Sequence, residues 1–208
     1  MESTFGGVYG SLAVGPTVLR FGALAADEPA RLRRVVAFPG LTDTPTARSQ
    51  GRSVQGFGEA GYRIALGAGA ELEPFVGGGV VALGRARFAE QGGAAALTGP
   101  GQARLVPTAT AGLRAEARLA EASPVLVFGL VGYRRSFGDV ALPSLLAFRG
   151  TGARFTSAGL PIDRDALVAE AGLGATLAPG LSVGLSYTGQ VGARAQDHAA
   201  KASLAYRF

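Results

Sequence analysis

Cysteine is absent from all 208 residues, which excludes a disulfide framework and any cysteine-based zinc site. Histidine occurs once, as His198, and charged residues make up only 17% of the chain. No apolar run approaches the roughly 18 residues that a membrane-spanning helix requires. If the chain enters a membrane, it must therefore do so as strands.

Catalytic motifs are also missing. Any Ser-His arrangement would have to use His198, and no G-x-S-x-G motif accompanies it. The stretch "GGGVVA" from residue 77 fits G-x-G-x-x-A, but nothing after it resembles a βαβ unit with an acidic ribose ligand. We predict no catalytic, cofactor-binding or metal site. The net charge of +5 is spread along the chain, so we also predict no nucleic-acid partner.

What the sequence does contain is a period of two. Hydrophobic residues make up 48% of the chain and glycine occurs 33 times, a composition that argues against disorder. Successive side chains of a strand point to opposite faces, and the final segment alternates in this way. One face of that segment carries His198, Ala200, Ala202, Leu204, Tyr206 and Phe208, and the other carries Asp197, Ala199, Lys201, Ser203, Ala205 and Arg207. Similar alternation elsewhere predicts about nine strands, several of them near the 9 to 11 residues that a tilted membrane strand needs.

The connections between these strands alternate in length. Those at "VGPT", "ALGAGA", "AEASP" and "APG" are short, whereas those around residues 27–51, 86–106 and 138–164 are long. Every second connection of an antiparallel meander lies at the same end of the sheet. The pattern is therefore typical of an outer-membrane barrel with short periplasmic turns and long external loops.

Charged residues recur on the polar faces of the predicted strands, in numbers that do not suit a dry core. We predict that they face a wet lumen: Glu59, Arg63, Arg114, Glu116, Arg118, Glu170 and Lys201. Glu116 and Glu170 could form an acid and base pair, but arginines on the same face favour ordinary ion pairs. Leu126, Phe128 and Leu130 fall on this polar face as apolar exceptions.

Several segments resemble the C-terminal β-domain, or translocator, of bacterial autotransporters. They are "VVAFPGL", "GFGEAGYRIALGAGAELEPF", "FAEQGGAAALTG", "YRRSFGDV", "GLPIDRDALVAEAGL" and "LSYTGQVGARAQDHAAKASLAYRF", and they reach nearly from end to end. The resemblance implies a twelve-stranded barrel in the bacterial outer membrane that helps an N-terminal passenger reach the cell surface. The chain departs from the family in one respect, because it contains no tryptophan, a residue that barrels of this family usually carry at the membrane interfaces.

The resemblance also gives a role to the C-terminus. Outer-membrane barrels commonly end in an aromatic residue preceded by alternating apolar residues, and the barrel-assembly machinery reads this signal. Leu204, Tyr206 and Phe208 match it, with Ser203 where glycine is common. We expect these three side chains to face lipid.

Compared with the family's twelve strands, the chain begins at about the fourth. We therefore expect residues 1–208 to form one all-β domain, an antiparallel transmembrane β-barrel that is incomplete, with about nine of twelve strands. We also expect the passenger segment to be absent from this chain, and "MESTFGGVYG" does not resemble a signal peptide. With nine strands, the first and last run in the same direction and cannot form an antiparallel seam. The alternative functions are a small outer-membrane barrel acting as a passive pore or surface adhesin and, more remotely, a soluble lipid-binding barrel.

Overall fold

The computed structural model describes residues 3–67, 69–120, 123–138, 142–159 and 162–207. Strands dominate this part of the chain, and none of its described segments forms a helix long and apolar enough to cross a membrane. Phe208, the last residue of the predicted terminal signal, lies outside the described residues.

Nine long strands form the main sheet. They are β1 (Thr4–Val14), β2 (Thr17–Arg33), β5 (Thr46–Tyr62), β7 (Ala70–Arg85), β10 (Gln102–Arg118), β11 (Val125–Ser136), β14 (Asp165–Ala178), β15 (Leu181–Gly192) and β16 (Gln196–Tyr206). Seven shorter strands lie between them: β3 (Val36–Phe38), β4 (Leu41–Asp43), β6 (Ile64–Gly67), β8 (Phe88–Ala89), β9 (Leu97–Gly99), β12 (Leu142–Phe148) and β13 (Arg154–Gly159).

The main sheet is an antiparallel meander in the order β1-β2-β5-β7-β10-β11-β14-β15-β16. This confirms the predicted strand number and the all-β fold. Strand β6 continues β5 after an interruption at Arg63 and pairs with β7. Within the described residues β1 and β16 do not pair, so the sheet is a curled, open half-barrel. This agrees with the expectation of an incomplete barrel whose first and last strands cannot form an antiparallel seam, and within the described residues a gap separates β1 from β16.

Tight turns close one end of the sheet. Gly15 and Gly180 adopt φ angles of 59° and 80° in the connections before β2 and β15, a conformation that glycine accepts without steric cost. The turn that the sequence predicts at Pro179 and Gly180 is thereby confirmed. At the opposite end, β3 and β4 form a hairpin, and β8, β9, β12 and β13 form a small separate sheet.

The long loops predicted from the sequence are shorter in the structure, because residues at their ends belong to strands. Residues 27–33 belong to β2, residues 46–51 to β5 and residues 102–106 to β10. These three strands are each 17 residues long, well beyond the 9 to 11 that cross a membrane. The outer ends of these strands extend beyond the expected membrane-spanning part. Their sequences do not alternate regularly between apolar and polar residues, so the sequence does not predict them as strands.

The two faces of the sheet differ in chemistry. One face exposes large apolar side chains along most of its strands, among them Phe21, Val54, Val76, Leu113, Leu167, Leu185 and Leu204. The other face is concave, since residues from seven strands on that side line one cavity of about 410 Å³. The sheet thus has an apolar convex face and a more polar concave face.

Glycines on the concave face make room for aromatic rings. Phe57, Phe75 and Phe128 each stand directly across from a glycine on the neighbouring strand, namely Gly22, Gly112 and Gly172. A Cβ atom added at these glycines would lie 2.5, 2.9 and 2.4 Å from the facing ring. Each ring therefore covers its glycine, and part of the high glycine content follows from this packing.

Candidate functional site: the charged concave face

An ion-pair cluster occupies the concave face near the tight-turn end of β2, β5, β7 and β10. Arg20 Nη1 donates to Glu59 Oε1 at 3.0 Å and to Glu73 Oε1 at 2.5 Å, while its Nη2 donates to Glu73 Oε2 at 3.0 Å. Arg114 reaches the same two carboxylates from the other side, with Nη1 2.5 Å from Glu73 Oε1 and Nη2 3.0 Å from Glu59 Oε1. Two guanidinium groups thus enclose two carboxylates.

Two further contacts extend the cluster. Arg63 Nε lies 3.5 Å from Glu73 Oε2, and the Arg114 guanidinium carbon lies 4.8 Å from the centre of the Phe75 ring. Arg63 lies at the interruption between strands β5 and β6. Glu73 is the least accessible member, with 5% of its surface exposed. A carboxylate buried to this degree needs charged partners, and Glu73 has three.

A second polar contact spans the middle of the concave face. Arg134 on β11 donates to Thr110 Oγ1 on β10 at 3.3 Å and to Gln190 Oε1 on β15 at 2.9 Å. These side chains line the cavity of about 410 Å³ together with Glu59 and Glu170. The arrangement links strands that are not neighbours in the sheet and leaves a polar hollow between them.

The strand register places the remaining predicted charges on this same face. Glu116 stands across from Glu71 on β7 and from Phe128 on β11, and Glu170 stands across from Leu130. Lys201 and Arg118 belong to the same face by register, opposite Ser186 and Leu126 respectively. The structure brings Glu59, Arg63 and Arg114 into one cluster but shows no salt bridge of Glu116, Arg118, Glu170 or Lys201 to a described residue. That this face lines a lumen stays a prediction.

Sequence reasoning missed three of the central residues, Arg20, Glu73 and Arg134. A signal for Glu73 was available, because Glu71 and Glu73 share the face of the predicted lumen charges in the segment "AELEPF". The many glycines that follow made the period of β7 ambiguous. Arg20 and Arg134 have no such signal, since alternation along a strand does not show which partners an arginine meets on other strands.

The apolar exceptions Leu126, Phe128 and Leu130 lie on the concave face and are half-buried. Leu130 stands between Arg114 and Glu170 in the register, and Phe128 covers Gly172. Phe128 thus packs over the backbone of β14, and Leu130 lines the hollow.

The long-loop end carries its own polar cluster, around Glu90. Arg34 donates to both Glu90 oxygens, at 3.3 and 2.6 Å, and also to the Ala95 carbonyl at 2.7 Å. The Leu97 N–H donates to Glu90 at 2.8 Å, and Arg149 Nη1 donates to the Glu90 carbonyl at 2.8 Å. Burial by itself would raise the pKa of Glu90, but the hydrogen bonds from Arg34 and Leu97 outweigh it and hold that pKa below its ordinary value. The cluster joins three long connections into one outer assembly.

The predicted terminal signal lies on the convex face where it can be described. Leu204 and Tyr206 are 73% and 66% exposed, and both belong to the apolar side of β16. Among the described residues no group of three or more His, Cys, Asp or Glu side chains is placed to hold a metal ion.

Comparisons with known proteins give one consistent result. A family model described as "Autotransporter beta-domain" matches residues 1–188. Two extracellular serine proteases of Serratia marcescens are 30% identical over 203 residues and 28% identical over 208 residues. These matches cover 97% and 100% of this chain but 19% and 20% of the proteases, so the chain spans about a fifth of their length.

Among solved structures, the translocator domain of the autotransporter NalP from Neisseria meningitidis superposes with a TM-score of 0.73 at 18% identity. The superposition covers 99% of this chain and 65% of that domain. At this identity the match concerns the fold, and it relates the open sheet described above to the wall of a barrel.

Proposed function

Because the chain belongs to the autotransporter beta-domain family, we propose that its concave face is the surface along which a passenger segment crosses the bacterial outer membrane. Membership of this family makes the chain an outer-membrane translocator sheet that acts in passenger secretion, and translocator domains of this family are not themselves enzymatic. The proposal adds which side of the sheet the passenger follows and which residues it meets.

The division of the sheet into two faces is the observation that carries this proposal. Large apolar side chains are exposed on the convex side, where lipid would cover them. The concave side carries Arg20, Glu59, Glu73 and Arg114 in a half-buried network, which suits a wet interior. A single curled sheet with this polarity fits a barrel wall better than a sandwich, whose concave side would be dry.

Closure of the barrel requires strands beyond the nine. In the outer membrane an unpaired strand edge leaves N–H and C=O groups without partners, each at a cost of several kcal/mol. Since β1 and β16 run in the same direction, an odd number of strands between them gives antiparallel pairing on both sides. We propose that three strands fill this gap, for a total of twelve, and that residues 1–208 are one part of this barrel domain.

The exposed apolar side chains at the end of β16 suggest a partner during insertion. Leu204 and Tyr206 alternate on the convex face, and Phe208 continues the same period in the sequence. We propose that these residues are recognised by the barrel-assembly machinery and then face outer-membrane lipid.

A site-specific cross-linking experiment tests the passenger path. A photo-crosslinking residue is placed at Thr110 or Ala111, neighbours on β10 that face opposite sides, in the protein as the cell makes it. A passenger halted in transit by a rapidly folding tag should cross-link from position 110 and not from position 111. Cross-linking from 111 alone, or from neither position while the passenger is held in the membrane, would contradict the proposed path and favour a passive pore or adhesin.

A further inference from the structure

A cavity of about 790 Å³ lies near the long-loop end of the sheet. It is formed by the outer parts of β2 and β5 and by residues 86–87, which follow β7. Its lining consists of Pro29, Ala30, Arg31, Arg48, Ser49, Gln50, Ala86 and Arg87. Three of these eight residues are arginines, and this cavity is separate from the concave-face cluster.

The arginines are placed unfavourably for the chain alone. Arg31 and Arg48 stand directly opposite each other in the β2–β5 register, a position in which like charges destabilise a sheet. Arg31, Arg48 and Arg87 are all exposed, and none forms a salt bridge with a carboxylate of the described residues. The neighbouring carboxylate, Asp27, is paired with Arg52 at 3.3 Å.

The position of Arg31 and Arg48 relative to the membrane follows from the register. Arg31 lies on the same face of β2 as Leu19 and Phe21, and Arg48 lies on the same face of β5 as Val54. A tilted strand crosses the hydrocarbon layer in about 9 to 11 residues, which from Thr17 reaches to residue 27. Arg31 therefore lies just past the hydrocarbon on the lipid-facing side, at the level of the headgroups.

A phosphate group between Arg31 and Arg48 would offset the repulsion between the two facing guanidinium groups. Ser49, whose Oγ makes no hydrogen bond within the described structure, lies on the opposite face of β5 and takes no part in this contact.

We propose that Arg31, Arg48 and Arg87 bind a phosphate group of an anionic lipid headgroup in the outer leaflet. The proposal rests on the outer-membrane location given above. Free phosphate shares the recognised chemistry, but Arg31 and Arg48 project from the lipid-covered face, where the phosphate arrives attached to a lipid. Arginine is suited to this role because its planar fork binds phosphate oxygens in pairs.

The test compares three ligands on the protein as the cell makes it, purified from outer membranes in mild detergent. Binding of phosphorylated lipopolysaccharide, the same lipid after phosphatase treatment, and inorganic phosphate is measured by native mass spectrometry. We expect the phosphorylated lipid to bind the unaltered protein. The triple variant R31Q/R48Q/R87Q should lose at least about tenfold in affinity for it.

The matched control is R154Q/R194Q/R207Q, which removes three exposed arginines elsewhere and should bind as the unaltered protein does. Equal binding by both triple variants overturns the proposal. So does equal binding of the dephosphorylated lipid, or full displacement by millimolar inorganic phosphate, which would indicate a free-anion site. If the triple variant does not fold, judged by heat-modifiable gel mobility, the single variant R48Q decides in the same assay. Failure of the unaltered protein to enter the outer membrane would contradict the proposed function instead.

Discussion

At the scale of single residues, the concave cluster depends on Glu73 more than on any other member. Glu73 contacts Arg20, Arg63 and Arg114 and is almost fully buried, whereas Glu59 keeps more solvent contact. Removing the charge of Glu73 leaves the half-buried guanidinium groups of Arg20 and Arg114 with Glu59 as their shared carboxylate. The loss of a charged hydrogen-bond partner therefore exceeds the loss of an exposed ion pair.

The first prediction concerns this carboxylate. The variant Glu73→Gln should lower the free energy of unfolding by about 2 kcal/mol, because hydrogen bonds to charged groups typically contribute about 1.5–3 kcal/mol. Guanidinium-induced unfolding of the detergent-solubilised protein measures the change. Glu116→Gln is the control, since it lies on the same face without a salt bridge to a described residue. Equal shifts for both variants would show that the cluster adds no stability.

The second prediction concerns Glu90 in the outer assembly. Its pKa is lower in the folded protein than the ordinary value of 4.5, so its contribution to stability is fully present above about pH 4.5 and is lost as the pH falls through the folded pKa. Hydrogen exchange at residues 88–97, corrected for its intrinsic pH dependence, should therefore increase below pH 4.5. In Glu90→Gln this pH dependence should disappear. Persistence of the same dependence in the variant would assign it to another group.

At the scale of strands, alternation in the sequence predicts the face of each side chain well where one face of the strand is consistently apolar. In β10 and β14 the apolar residues of the alternating sequence lie on the convex face, as Leu113 and Leu167 illustrate. In β7 and β11 the pattern was ambiguous, because glycines and apolar residues such as Phe128 occupy concave positions. Only the register with neighbouring strands assigns those side chains.

The third prediction tests these faces directly. A cysteine at Glu116 should react with a membrane-impermeant maleimide in intact outer membranes, because this position lies on the concave face, which we propose to be wet. A cysteine at Leu113, on the convex face of the same strand, should be covered by lipid and remain unlabelled. Mass spectrometry of the labelled protein gives the extent of reaction at each position, and the absence of endogenous cysteine removes any background. Equal labelling at the two positions would refute the assignment of faces.

At the scale of the whole molecule, the most important feature is that the main sheet has two free edges. The edges belong to β1 and β16, which run in the same direction and do not pair within the described residues. If three further strands lie between them, four interstrand spacings of about 4.8 Å separate β1 from β16, or roughly 19 Å. That separation is far beyond the reach of a disulfide, which needs Cα atoms within about 7 Å.

The fourth prediction follows from this distance. Cysteines placed at Val8 and Leu204, both on the convex face, should not form a disulfide in the protein assembled in the outer membrane. Cysteines at Leu185 and Ala202, which are direct partners on β15 and β16, should form one under the same oxidation. Gel mobility with and without reductant reports both. Efficient coupling of positions 8 and 204 would indicate a direct parallel seam and rule out intervening strands.

The sequence by itself determined the class of fold, the strand number near nine, the division into short and long connections, and most of the convex face. These features depend on local alternation and turn residues, which each segment carries alone. The outer ends of β2, β5 and β10 could not be predicted, because beyond the lipid layer both faces of a strand tolerate polar residues. Tertiary structure alone decided that Arg20, Glu73 and Arg114 meet, that Arg31 faces Arg48, and that a gap rather than a parallel seam separates β1 from β16 within the described residues. The residues in these contacts are separated by 17 to 94 positions along the chain. Only the pairing of distant strands determines which of these residues come into contact.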